Sequence, residues 1–232
     1  MGRFPAAQKT REIRERGRNH MRTKIQNKTA SAEIESLGAQ LMSLKNAEGT
    51  EYLWQGDPAF WSSRAPVLFP TVGNVRGGTT IINGKPYALK RHGFARNLEH
   101  SVLDSGANFI TYSLKDSEET RKLYPFAFEL RVTYRLVENG LTTEFAVFNR
   151  GDKELPFGIG GHPGFRCPLV PGERFEDYRI LFEKEETADC PTIDIQTGLI
   201  DFNKRHTVLR GEREISLRHD LFVNDALVFD AL

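Results

Sequence analysis

Two histidines stand where a side chain could act on a ligand. His92 lies in Lys90-Arg91-His92-Gly93-Phe94-Ala95-Arg96, and His162 lies in Gly158-Ile159-Gly160-Gly161-His162-Pro163-Gly164-Phe165. Each follows a predicted strand and sits among glycines, which let a backbone approach a ligand closely. Pro163 biases His162 toward extended backbone, so that its side chain projects from the loop. Imidazole has an ordinary pKa of about 6.5 and both gives and takes protons near neutrality. The chemistry open to such a pair is proton transfer; the alternative, for either one alone, is capping a turn or filling a polar gap. His20, His100, His206 and His219 lie in charged, surface-like contexts and are read as ordinary.

Other chemistries lack a motif. The sequence has no P-loop, no GxGxxG after a strand, no HExxH and no GxSxG. Cys167 and Cys190 show no CxxC or Cys/His ligand spacing and read as reduced thiols of a cytoplasmic chain. No metal or other cofactor is expected.

The elements that must hold the histidines read as strands. Phe128, Leu130, Val132, Tyr134 and Leu136 alternate with polar residues, Asn139-Gly140 follows, and Leu141, Thr143, Phe145 and Val147 alternate again. Asn-Gly between two alternating runs is a strong hairpin signal. Asn83-Gly84 makes a second such turn between Thr79–Ile82 and Pro86–Leu89. Further strands are expected at Asn108–Leu114, Asp177–Phe182, His206–Leu209, Glu214–Leu217 and Leu227–Phe229. No helical period is sustained. Many short antiparallel strands imply an all-β sandwich or barrel.

Composition agrees with one globular body. The 232 residues carry 32 Lys+Arg and 31 Asp+Glu, and the balance is uneven. Residues 1–30 hold nine basic and two acidic residues, against 23 basic and 29 acidic in the rest. Three readings of this head are an arm for nucleic acid or anionic lipid, an Arg-rich targeting segment, and a disordered solvated extension upstream of Met21. The last is adopted, so the domain is placed at 31–232 and no nucleic acid or membrane partner is expected. No apolar run approaches a membrane span.

Four ordered stretches carry a resemblance. They are Glu51-Tyr52-Leu53-Trp54-Gln55-Gly56-Asp57-Pro58-Ala59-Phe60-Trp61 with Arg64-Ala65-Pro66-Val67-Leu68-Phe69-Pro70, then Arg91–Arg96, then Gly161–Phe165, then Leu221-Phe222-Val223-Asn224-Asp225-Ala226-Leu227. Together they resemble the aldose 1-epimerase (galactose mutarotase-like) family, in its short bacterial branch. That resemblance implies a large antiparallel β-sandwich and interconversion of the α and β anomers of a free hexose. His162 matches the family's general acid, and His92 matches a histidine that binds and polarises the sugar near its ring oxygen. Asp225 matches an aspartate that grips sugar hydroxyls. Arg76 and Arg64 both remain candidates for an arginine that holds the sugar. Trp54, Trp61, Phe69 and Phe94 are candidates for an aromatic floor under the pyranose.

Against the family pattern, the sequence ends a few residues after Asp225, and no Glu matches the family's general base. The expectation is a fold without its last strands and an enzyme with its acid but not its base. A general base typically contributes about 10²–10⁴-fold. Exposed sheet edges are expected to favour self-association. Two further functions stay open: a carbohydrate-binding relative without turnover, and a hexose-6-phosphate mutarotase anchored by Lys90, Arg91 or Arg96.

Overall fold

The computed structural model describes residues 20–138 and 140–232. Three strands open the body: β1 (Arg22–Gln26), β2 (Ala30–Glu35) and β3 (Gln40–Asn46), paired antiparallel in that order. Ile25 is wholly buried in β1. The body therefore begins near Arg22 and not at residue 31. The basic composition hides this strand, because one apolar side chain per strand is too little to show a period of two. The first 19 residues of the expected extension lie outside the described part.

A short β4 (Val67–Leu68) follows a long irregular stretch, and then comes a hairpin of β5 (Thr79–Ile82) and β6 (Lys85–Ala88). Its turn is Asn83-Gly84, with φ of 50° and 74°, the left-handed pair that the sequence calls for. The second main sheet is built from β7 (Ser101–Ser105), β8 (Phe109–Lys115), β9 (Phe128–Val137) and β10 (Gly140–Asn149), in spatial order β10-β9-β8-β7. A single helical turn, α1 (Glu118–Leu123), joins β8 to β9 and is capped by the Ser117 hydroxyl, which accepts from the Thr120 amide.

The β9–β10 register runs unbroken from Val137↔Gly140 to Phe128↔Asn149. Alternation therefore puts Phe128, Leu130, Val132, Tyr134 and Leu136 on one inner face, where all are buried. They meet Ile25, Ala32, Ile34 and Leu41 of the first sheet in one core. Tyr134 spans the layers, its hydroxyl donating to the Ala39 carbonyl at 2.8 Å. This is the sandwich expected from the alternation.

The remaining strands are β11 (Gly160–Gly161), which pairs with β4, and a long hairpin of β12 (Arg179–Asp194) and β13 (Leu199–Ser216). Only fragments of that hairpin are legible as strands. Its ladder shifts register at four places, and each bulge breaks the period of two. Leu227–Phe229, expected as a strand, has no regular structure. Leu227 and Phe229 instead pack on a second small core formed by Ala188, Cys190, Leu209 and Ile215. Among the described residues no helix is long and apolar enough to cross a membrane.

Candidate active site

The β4–β11 pair is the scaffold of the site. Gly161 pairs with Val67, and the next amide, that of His162, donates to the Pro66 carbonyl at 3.1 Å. This carries His162 to the end of β4. From the other side, the loop after β6 docks on the chain just beyond β4. Phe69 and Gly93 form a parallel bridge, and the amides of Phe94 and Ala95 both donate to the Phe69 carbonyl. So β4 and its continuation carry both histidine loops.

His92 is held at both ends. Its backbone N–H donates to the Gly73 carbonyl at 2.9 Å, and its Nδ1 accepts from the Gly73 N–H at 3.0 Å. A neutral ring that accepts at Nδ1 carries its proton on Nε2. That Nε2–H is the atom left to address a ligand. His92 has φ of 68° and Gly93 also has φ of 68°. A left-handed backbone at a non-glycine residue is strained and persists only when its surroundings enforce it. Gly93 is obligatory there, because a Cβ would lie 2.2 Å from the Phe69 carbonyl oxygen.

The two rings face one another with centroids 5.5 Å apart, and Trp61 lies 5.1 Å from His162. Trp61, Arg91, His92, Arg96 and His162 line a cavity of about 350 Å³. Burial drives the His92 pKa down to about 4, with help from the positive charges of Arg91 and Arg96. The same causes, in the same order, lower that of His162, while Asp225 opposes them at both rings. Both imidazoles are therefore neutral at pH 7. Asp225 follows a tight turn, with φ of 76°, and its carboxylate is 3.6 Å from the Arg91 guanidinium.

The sequence-predicted residues separate in space. His92 and His162 come together, and Asp225 reaches them through Arg91. Arg64 does not join them: its Nη1 donates to the Met42 carbonyl at 2.7 Å, and its backbone N–H donates to the Gln40 side chain. It ties the site loop to β3. Arg76 lines a neighbouring, larger cavity of about 850 Å³ together with Lys90, Arg91 and Phe94. No histidine lines that larger space, so both facing imidazoles belong to the smaller one; Arg91 is common to both. Of the four aromatics, Trp61 lines the histidine cavity. Trp54 braces it by donating from Nε1 to the Trp61 carbonyl at 2.7 Å. Phe69 is a wholly buried core residue, packed on Phe94, Tyr124 and Phe128. Arg91 and Arg96 are members of the site that the sequence marks only as anchors for a charged substrate. Their place beside a histidine in a glycine-bearing loop was the available signal.

Comparisons with known proteins follow the same lines. Residues 21–225 match the family model described as aldose 1-epimerase. The chromosomal LacX protein of Lactococcus lactis is 38% identical over 218 residues, covering 91% of this chain and 73% of LacX. A crystal structure of a galactose mutarotase related enzyme from Lactobacillus acidophilus is 39% identical, with a TM-score of 0.87 over 91% of this chain and 70% of that one. An Escherichia coli K12 protein provisionally named glucose-6-phosphate 1-epimerase is 32% identical over 126 residues, which is 50% of this chain and 39% of that protein.

Proposed function

The chain belongs to the aldose 1-epimerase family, and from that premise we propose that it interconverts the α and β anomers of a free hexose by acid–base ring opening. The observation that carries this reading is the convergence of two neutral imidazoles, 5.5 Å apart, on one cavity. In this mechanism His162 takes up a proton from solvent as the sugar binds and gives it to the ring oxygen as the C1–O bond breaks, which returns it to the neutral imidazole. His92 donates its Nε2–H to a sugar oxygen beside it and polarises the ring. The O1 hydroxyl loses its proton, the open-chain aldehyde rotates about C1–C2, and the reverse steps close the other anomer. Asp225 accepts hydrogen bonds from sugar hydroxyls, and its carboxylate takes two at once. Trp61 offers an apolar face to the pyranose.

Among the described residues no glutamate lines the histidine cavity. In this reading the O1 proton passes to water or to Asp225. Polarimetry on freshly dissolved α-glucose and α-galactose tests this. Acceleration that vanishes in His162→Ala supports it; calorimetric binding with no acceleration means a carbohydrate-binding protein instead.

A specific observation favours a second reading. Arg76, Lys90, Arg91 and Arg96 line the two adjoining cavities, and Asp225 pairs with Arg91 alone. Such a cationic rim suits a phosphorylated hexose, and the Escherichia coli relative bears a glucose 6-phosphate name. Higher kcat/KM for α-glucose 6-phosphate than for α-glucose, with a gap that narrows in salt, distinguishes this substrate class.

A further inference from the structure

Two imidazoles that face one another across a cavity repel when both are charged, so such a pair takes its protons one at a time. The surrounding charges do not choose which ring is first. Arg91 and Arg96, from the loop after β6, oppose a proton on either ring, and Asp225, from the C-terminal segment, favours one on either. The choice falls to the groups in direct contact with each imidazole.

His92 offers an incoming proton a nitrogen that is already engaged. Nε2 carries the proton of the neutral ring, so a second must go to Nδ1. That atom accepts from the Gly73 N–H at 3.0 Å. Protonating it breaks the hydrogen bond and sets two donors head to head. Gly73 is held in place, because its carbonyl also accepts from the His92 N–H at 2.9 Å.

His162 meets a different neighbour. The Trp61 ring lies 5.1 Å from it, centroid to centroid, with the planes at 42°. That is inside the roughly 6 Å over which an aromatic ring attracts a cation, and indole is the strongest of the aromatic partners. The contact is built into the loops. Trp54 fixes the Trp61 backbone by donating from Nε1 to its carbonyl at 2.7 Å. Gly164, two residues beyond His162, gives the indole its room: a Cβ there would lie 2.7 Å from Trp61 Cζ3. The Gly164 N–H donates to the Arg64 carbonyl at 2.7 Å, which ties the segment carrying the imidazole to the one carrying the indole.

We propose that the site is built to hold a single proton, on His162: the Gly73 amide bars it from His92, and Trp61 is the positioning residue that stabilises it on His162. This deepens the acid–base reading, because it names the ring that carries the proton and the side chain that keeps it there.

The test is imidazole-nitrogen NMR of the sugar-free full chain over a pH series. As pH falls, His162 should protonate first, while His92 keeps its Nε2–H form with Nδ1 unprotonated. In Trp61→Leu the His162 midpoint should fall by about 0.4–1.5 pH units. The sign is decisive, since loss of bulk alone lets water reach the ring and raises the midpoint. Trp61→Phe keeps an aromatic face and should fall by less; an unchanged His100 resonance shows that each variant is folded. Protonation of His92 before His162 overturns the proposal. So does a His162 midpoint that stays still or rises in Trp61→Leu. Polarimetry is read separately: these titrations without any mutarotation count against the proposed activity and for the place of the proton.

Discussion

Replacing Gly93 by alanine separates two effects that the site combines. Gly93 has a left-handed backbone, and an added Cβ would lie 2.2 Å from the Phe69 oxygen, 2.5 Å from its carbonyl carbon and 2.7 Å from the Pro70 nitrogen. Gly84 is left-handed too, with φ of 74°, but a Cβ there meets nothing within 4 Å. Gly84→Ala therefore incurs only the backbone penalty of about 1–2 kcal/mol. Gly93→Ala incurs that and the forced separation of two backbone segments, a further ~1–3 kcal/mol. In a chain of this size each kcal/mol lowers the melting temperature by about 2–4 °C. Urea unfolding of the two variants should show Gly93→Ala the less stable by that extra increment. Its mutarotase rate should also fall, because the Phe69–Gly93 bridge sets the place of His92; Gly84→Ala should keep the wild-type rate. Equal destabilisation of the two variants, or full activity in Gly93→Ala, would refute the reasoning.

Further outcomes follow from single side chains. His100 is 2% exposed and its Nε2 has no hydrogen-bond partner among the described residues; burial lowers its pKa to about 4. An unfolded chain takes up that proton near pH 6.5 while the native chain refuses it, so stability falls between pH 6.5 and pH 4 by up to ~3 kcal/mol. Urea midpoints across that range should show it, with a shallower slope in His100→Gln. Glu129 is buried between Arg131 Nε at 2.7 Å and Arg150 Nη2 at 2.5 Å, and those hydrogen bonds drive its pKa down to about 2. Its contribution is present above pH 4.5 and lost toward pH 2. Glu129→Ala should destabilise by ~2–3 kcal/mol in denaturant unfolding, discounted because both arginines are partly exposed. Arg64→Ala should lower stability by about 1 kcal/mol and leave KM for sugar unchanged, since its guanidinium serves the Met42 carbonyl. Arg91→Gln should move the acidic limb of the kcat/KM profile to higher pH, because the Arg91 charge helps hold both imidazole pKa values down.

How much of this was legible in the sequence depended on what each element asks of its residues. β9 and β10 were plain, because an unbroken ladder over a buried face writes period-two alternation directly into the chain. The Asn83-Gly84 turn was plain, because few residues accept two successive positive φ values. β1 was hidden, since a strand buried at one position leaves almost no pattern. β12 and β13 were fragmented by their bulges. In the site, the glycines and Pro163 marked both histidines. Nothing local could show that Arg64 turns back to β3 while Arg91 turns toward Asp225; that choice is made by tertiary contacts.

Ring opening by this pair requires one sugar lying between His92 and His162. Imidazole nitrogen NMR during a galactose titration addresses this directly. The expected result is that the His92 and His162 resonances shift together, with one dissociation constant, while those of His100 and His219 stay still. Galactose that moves one of the two rings without the other, or neither, would contradict it.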